Sequence, residues 1–382
     1  FYLLKFIRFF FIKSKIFYSD SLSFDKNRRI KNIYNYFILM IVNKLNKKLY
    51  SKYDYDKNCR TVIYNLLRKD KINNLKNFEN FFYDRVAYDI PCELVEGFKI
   101  HINYSIGFPE SKSIYTTFLH YNNIDFKIFI SKALEKKEKV SIIEHGGGLP
   151  WKSMNFFFEE KIFTKKFTWA KKFNVNQKQF HNDSIKDKYF NICSNNLENK
   201  KISIITSVIP KYFFKMALAP QDFNYQNYFR NINNFLKNVK NSHKENIFLK
   251  PHPSENYEYY KPISHDLKNQ NKKLQLFEKN YDFKLVIQKS KILICTSPET
   301  TFTLSMLSGV PTILILNLEL FKLLNPKFKG IIKKLLKSKM LFLNSFKAAN
   351  HLNRISNDPL KWYNSKKVRE VRMEYLKLTF NL

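Results

Sequence analysis

Glycine is scarce in this chain. It supplies 7 of 382 residues, and three of the seven stand together at 146–148. Glycine lets backbone approach a neighbour closely and adopts positive φ without strain, so a chain this poor in it is expected to keep it where geometry demands it. The stretch “SIIEHGGGLPWK”, residues 141–152, is therefore the first place to look for chemistry. Cysteine is almost as scarce. Cys59, Cys92, Cys193 and Cys295 lie far apart with no metal-type spacing. That excludes a disulfide scaffold and a cysteine zinc site, and reads as free thiols in a reducing compartment, with Cys295 in the core. No apolar run reaches the about 20 residues of a spanning helix. The opening “FYLLKFIRFFFIKSKIF” is interrupted by Lys5, Arg8, Lys13 and Lys15 and reads as a packed helix in preference to an interfacial one. The chain opens on Phe1 rather than Met, which admits a truncated N-terminal domain.

Acidic residues are also few: 32 against 67 lysines and arginines, for a formal net charge of +35. The lysines are spread along the chain, which is rich in Asn, Ile, Phe and Tyr. This is the composition an AT-rich genome gives, with a mild attraction to anionic ligands or an anionic membrane surface. No zinc-finger pair, aromatic RNP-type strand or basic recognition helix appears, so nucleic acid is not expected as a partner. A hydrophobic share of 44% excludes a disordered chain, and the length favours two domains of roughly 150–200 residues.

Residues 1–95 are expected to be largely helical, as in “RTVIYNLLRKDKI” and “LKNFENFFYDRVAYDI”. Beyond them, “SKSIYTT” (111–117), the helix-spaced “NIDFKIFISKALEKKEK” (123–139) and “VSIIEHGGG” read as strand, helix and strand within about 35 residues, a unit that builds parallel sheet. The pattern recurs. Strands are predicted in residues 201–210 and 246–253 and a helix over 225–240. Residues 282–316 then read as helix, strand, Thr/Ser/Glu turn, a helix closed by Gly309, and strand. The fold class is α/β with two Rossmann-like domains. Residues 1–195 form the N-terminal domain, 196–345 the C-terminal domain, and 346–382 a helical basic tail.

Three turns fall at the carboxyl ends of predicted strands, where open α/β sheets place their ligands. In the first, Glu144 or His145 is a candidate general base beside Gly146, Gly147 and Gly148, whose amides suit an anion or a sugar. In the second, “LKPHPSE”, Pro251 and Pro253 stiffen His252 toward a phosphate oxygen. Lys250 is a second phosphate candidate, and Pro253 and Ser254 of the same turn are candidate nucleotide-binding residues. In the third, “CTSPETTFTLSMLSGVP”, Thr296, Ser297, Thr300 and Thr301 offer hydroxyls at a helix start that favours phosphate. Glu299 is placed to hold a sugar or ribose hydroxyl. Ser297-Pro298 also reads as a plain helix cap with proline in the first turn. No DxD-like pair stands at a strand end, so no metal and no cofactor is expected.

In order, “SKSIYTT”, “IEHGGGLP”, “FTWAKK”, “KPHPSE” and “ETTFTLSMLSGVPTIL” resemble the motif series of bacterial GT-B-type transferases of surface carbohydrate, and in particular a sugar-transferase family with “QHGG”, “TWG”, “HPS” and “TTF.E.LA” elements. The series is also similar to that of capsule Kdo transferases, bacterial polysialyltransferases and glycerophosphate polymerases. The chain departs from the pattern at Glu144, at Leu149-Pro150 and at Ala170. The resemblance implies a GT-B-like architecture, the two domains facing across a cleft with the acceptor on the N-terminal side and the nucleotide on the C-terminal one. His252, Pro253, Ser297, Thr300 and Thr301 would meet the donor nucleotide and its phosphate. The expected activity is glycosyl transfer from a nucleotide-sugar donor to a cell-surface glycan or glycolipid acceptor, by a cytoplasmic enzyme peripheral to the inner face of the plasma membrane. The polysialyltransferase-like order leans toward CMP-linked acidic sugars. A CDP-linked polyol-phosphate transferase of the same fold, a non-enzymatic basic binding protein and an inactive transferase stay open as alternatives.

Overall fold

Isoleucine and leucine runs without polar alternation call for strands buried on both faces, the environment of a parallel sheet. A computed structural model of the chain has two such sheets. It describes residues 16–18, 53–69, 77–106, 108, 113–117, 119–144, 146, 159, 161–173, 175–179, 183–193, 197, 200–211, 225–256, 260–380 and 382. By compactness the chain divides into Phe1–Ile143 and Glu144–Leu382.

In the first unit, β1 (Ile16–Tyr18), β2 (Ser113–Thr116) and β3 (Lys139–Ile143) pair in parallel, with Ile16 opposite Ile114 and Ile114 opposite Val140. β1 replaces by a strand the last residues of the expected opening helix; the rest of that helix lies outside the described residues. Helices α1 (Lys57–Lys69) and α2 (Asn77–Asp89) fall on the two expected helical stretches, α4 (Ile124–Glu135) on the expected helix spacing, and α3 (Phe98–Ser105) is a helix that was not expected. Arg60 of α1 is fully buried. Its guanidinium donates to both oxygens of Glu96, at 2.7 and 2.8 Å, and to the carbonyls of Ala87, Tyr88 and Ile90 at the end of α2. A helix end buried without such a donor would leave carbonyls unsatisfied. The pairing holds the Glu96 carboxyl down to about 2.

The second unit carries the short parallel pair β4 (Lys165–Thr168) and β5 (Gln177–Gln179). It also holds a six-stranded sheet of β6 (Lys201–Ile205), β7 (Ile247–Lys250), β8 (Gln275–Leu276), β9 (Ser290–Cys295), β10 (Thr312–Ile315) and β11 (Leu341–Phe342). Every pairing is parallel and the order is β11-β10-β9-β6-β7-β8. Counted from β6 as the first strand, that is 3-2-1-4-5-6, the order of dinucleotide-binding sheets, and its direction reverses between β6 and β9. The Rossmann-like expectation for this half holds.

Helices α5 (Tyr225–Asn238), α6 (Ile263–Gln270), α7 (Phe283–Gln288) and α8 (Thr300–Ser308) connect these strands. α8 is buried from Phe302 to Ser308 and ends at Gly309, whose φ of 80° is the left-handed cap that closes a helix most cheaply with glycine. The tail forms α9 (Ser345–Ile355) and α10 (Lys366–Thr379) and is part of this core. The Tyr375 ring stands edge-on to Phe302 at 5.1 Å, and Val368, Tyr375 and Leu376 are buried. None of the four cysteines is in a disulfide, and Cys295 is buried as expected.

Candidate functional site

At the reversal point three parallel strands end level. Ile205 of β6 stands opposite both Lys250 of β7 and Cys295 of β9, so the loops that begin at Thr206, Pro251 and Thr296 leave the sheet side by side. A directed chain of hydrogen bonds ties them. The Ser207 N–H donates to the Tyr228 hydroxyl at 2.8 Å, Tyr228 lies 2.5 Å from Thr296 Oγ1, and Thr296 Oγ1 donates to the Ile205 carbonyl at 2.8 Å. Thr296 has one hydroxyl proton and gives it to Ile205, so the phenol is the donor to Thr296. Thr206 Oγ1 adds a bond to the Lys250 carbonyl at 3.2 Å. Thr296, expected to face a phosphate, is 2% exposed and its proton is committed to the backbone. It braces the loops.

Ser297 also turns inward. Its hydroxyl donates to Glu299 Oε2 at 3.2 Å, and the Ser207 hydroxyl donates to the same oxygen at 3.4 Å. The plain-cap reading of Ser297-Pro298 does not hold: Glu299 is the cap position of α8 and its side chain makes no capping bond. The first turn of α8 thus starts at Thr300 and Thr301 without a side-chain cap, with the positive end of the helix dipole toward the loops.

His252 sits where the proline pair was expected to hold it. The Ser254 N–H donates to Nδ1 at 3.1 Å. That fixes the neutral tautomer with the proton on Nε2, a hydrogen-bond donor. Burial, and then the nearby Lys250 charge, push the imidazole down to about 4, so it is neutral at physiological pH. Lys250 commits two of its ammonium's three donors to backbone carbonyls. Its Nζ donates to the carbonyls of Pro251 at 2.8 Å and Lys279 at 2.6 Å. It props the turn that carries His252, and Pro253 opens a short 3-10 turn, Pro253–Asn256, on the exposed side.

Glu144 follows β3 and is 7% exposed. Its N–H donates to the Phe167 carbonyl at 2.8 Å. Its Oε2 accepts from Thr168 Oγ1 at 2.6 Å and from the Trp169 N–H at 3.0 Å. Oε1 has no hydrogen-bond partner among the described residues. Desolvation lifts this carboxyl to about 7. The charge of Lys166 and the two donated bonds pull the other way, and Glu159 adds to the rise. Lys166 is itself paired with Glu159 at 2.6 Å, both buried. A carboxyl titrating near neutrality is suited to proton transfer.

Gly146 accounts for one of the clustered glycines. A Cβ there would lie 2.2 Å from Thr300 Oγ1, so the loop after Glu144 rests directly on the first residue of α8. Close approach, not positive φ, is the requirement: Gly309 is the one glycine with positive φ among the described residues. His145, Gly147 and Gly148 lie outside the described residues. Sequence reasoning missed Thr168, Ser207 and Tyr228. Trp169 and Thr168 stood in the quoted “FTWAKK” element, and that was the signal available.

Residues 2–380 match the family described as LIC12162 family transferase. The chain belongs to that family. A LIC12162-family chain is thereby placed among transferases, the enzyme class expected from its motifs. No curated protein is similar enough to match it. Among solved structures it is similar to HepE of Anabaena in complex with UDP-glucose (8% identity, 86% of this chain and 94% of that one, TM-score 0.45). It is also similar to MurG of Acinetobacter baumannii (9%, 97% and 100%, 0.40) and to the wall teichoic acid polymerase TagF (11%, 73% and 71%, 0.34). These likenesses are distant. Among the described residues no three His, Cys, Asp or Glu side chains gather as a metal site requires, and no helix is long and apolar enough to cross a membrane.

Proposed function

We propose that this LIC12162-family chain is a GT-B-type glycosyltransferase that moves a sugar from a nucleotide-activated donor to a cell-surface glycan or glycolipid. The observation that carries the reading is the reversal point of the 3-2-1-4-5-6 sheet, where the His252 turn and the start of α8 leave adjacent loops while Gly146 rests on Thr300. Ligands of such sheets bind beyond the carboxyl ends of the strands at that point. In this reading the donor's phosphate lies by the His252 Nε2–H and the first turn of α8. Those groups meet the charge of the departing nucleotide. Glu299, which already gathers two hydroxyls, is placed for a sugar hydroxyl. Glu144 Oε1 accepts the proton of the acceptor hydroxyl as that oxygen attacks the anomeric carbon. Such general-base assistance contributes on the order of 10²–10⁴ in rate. A net charge of +35 favours work at an anionic membrane surface, on the cytoplasmic face where nucleotide donors are made.

The test is thermal unfolding of the full chain with CMP-N-acetylneuraminic acid, UDP-glucose, GDP-mannose, CDP-glucose and CDP-glycerol. A donor at about 100 times its Kd adds about 2.7 kcal/mol, which raises Tm by roughly 5–10 °C for a unit of this size. One base class is expected to stand out. Stabilisation by CDP-glycerol alone would shift the reading to polyol-phosphate transfer. No stabilisation by any donor would sink it.

A further inference from the structure

Building on the reading of Glu144 as the base, we propose that Thr168 is its positioning residue: the Thr168 hydroxyl locks one carboxyl oxygen in place so that Oε1 is the atom presented to a substrate hydroxyl. A carboxylate has two oxygens and about four acceptor sites. In Glu144 both donated bonds fall on one oxygen, Oε2, from Thr168 Oγ1 at 2.6 Å and the Trp169 N–H at 3.0 Å. Oε1 receives none among the described residues. The direction of the Thr168 proton is itself fixed. The Ala170 N–H donates into Thr168 Oγ1 at 3.1 Å and occupies an acceptor site, so the O–H is left to point at Glu144. Thr168 is fully buried, and no water competes for that proton.

The strap that carries these donors is anchored independently. The Trp169 ring packs edge-on to Phe380 at 5.8 Å, and the Lys171 N–H donates to the Leu378 carbonyl at 2.8 Å. The carboxyl is therefore held against a frame built from β4 and the end of α10, and it cannot exchange its two oxygens without breaking two bonds. The charged groups acting on it are Lys166 and Glu159, which pair with each other and which a change at Thr168 leaves in place.

A hydroxyl donated to the ionised form also favours ionisation. It opposes the desolvation that would otherwise keep Glu144 protonated and useless as a base. Thr168→Val keeps the shape and removes the hydroxyl. The Glu144 titration should then move up by about one to two pH units, the scale of a lost hydrogen bond to a charged group. The ionised fraction at pH 7 would drop about five-fold or more, with recovery at higher pH. The assay is an infrared titration of the protonated-carboxyl band of the full chain, assigned by its loss in Glu144→Gln. It is run on wild type, Thr168→Val and Thr168→Ser, together with nucleotide release from the stabilising donor of the panel across the same pH range. An upward move in the valine variant, reversed in the serine variant, is the expected result. If the valine variant titrates with wild type, or the serine variant moves as far as valine does, the hydroxyl does not hold the carboxyl and the inference is overturned. If the titration moves as expected while Glu144→Gln still turns over fully, the base assignment fails and the orienting role of Thr168 survives it.

Discussion

Replacing Glu144 by Gln should change how the stability of this protein depends on pH, by an amount the burial of one carboxyl sets. Burial raises the group from 4.5 to about 7. Between those values the folded chain keeps a proton that the unfolded chain has released, so wild-type stability falls as pH rises through the window and is flat above it. Each pH unit is about 1.4 kcal/mol, which makes the full loss about 3 kcal/mol. The glutamine side chain of the variant has no such titration. Its amide places N–H donors where Oε1 had no partner, an offset that is the same at every pH. Tm of the variant minus Tm of wild type should therefore climb by roughly 6–12 °C from about pH 4.5 to about pH 8, taking 2–4 °C per kcal/mol for a unit of this size. The measurement is differential scanning fluorimetry of both proteins in matched buffers. Taking the difference cancels the general effect of the large positive charge. Parallel Tm curves across the window would refute the claim that Glu144 is buried and protonated near neutrality.

Three other outcomes follow from the same geometry. Tyr228→Phe removes the acceptor of the buried Ser207 N–H and the donor to Thr296, and should cost about 1–3 kcal/mol by chemical denaturation. Gly146→Ala puts a methyl 2.2 Å from Thr300 Oγ1. It should destabilise by about 1–3 kcal/mol, in part recovered by adding Thr300→Ala; a Gly146→Ala protein as stable as wild type would show that the loop does not rest on α8. His252→Ala should abolish transfer and weaken donor binding. Because burial holds the imidazole neutral, donor affinity in wild type should not fall through its titration between about pH 5.5 and pH 8, and a histidine-dependent fall over that range, measured by calorimetry, would contradict a neutral donor.

The sequence by itself determined the elements whose cause is local. Apolar runs such as “KISII”, “KILIC” and “TILI” become β6, β9 and β10, and helical spacing gives α4, α5 and α8 nearly at the expected ends. Periodicity is a property of neighbours, so it can be seen in a string. The strands it did not show are short: “KKFT” and “QKQ” carry no apolar run, “QL” and “LF” are two residues long, and “IFY” lies in a stretch expected to be helix. The order of the second sheet was equally invisible, since β6 lies between β7 and β9 only once the chain has crossed back on itself. So too were the roles inside the site. Lys250 and Thr296 carry the chemistry of phosphate ligands, yet their donors go to the carbonyls of Lys279, 29 residues away, and Ile205, 91 residues away. Thr168 meets Glu144 across 24 residues and Tyr228 meets Thr296 across 68. Which residue types could act is written in the sequence, but which way each side chain turns is decided by desolvation. A buried donor must find the nearest acceptor, and only the folded chain determines which acceptor that is.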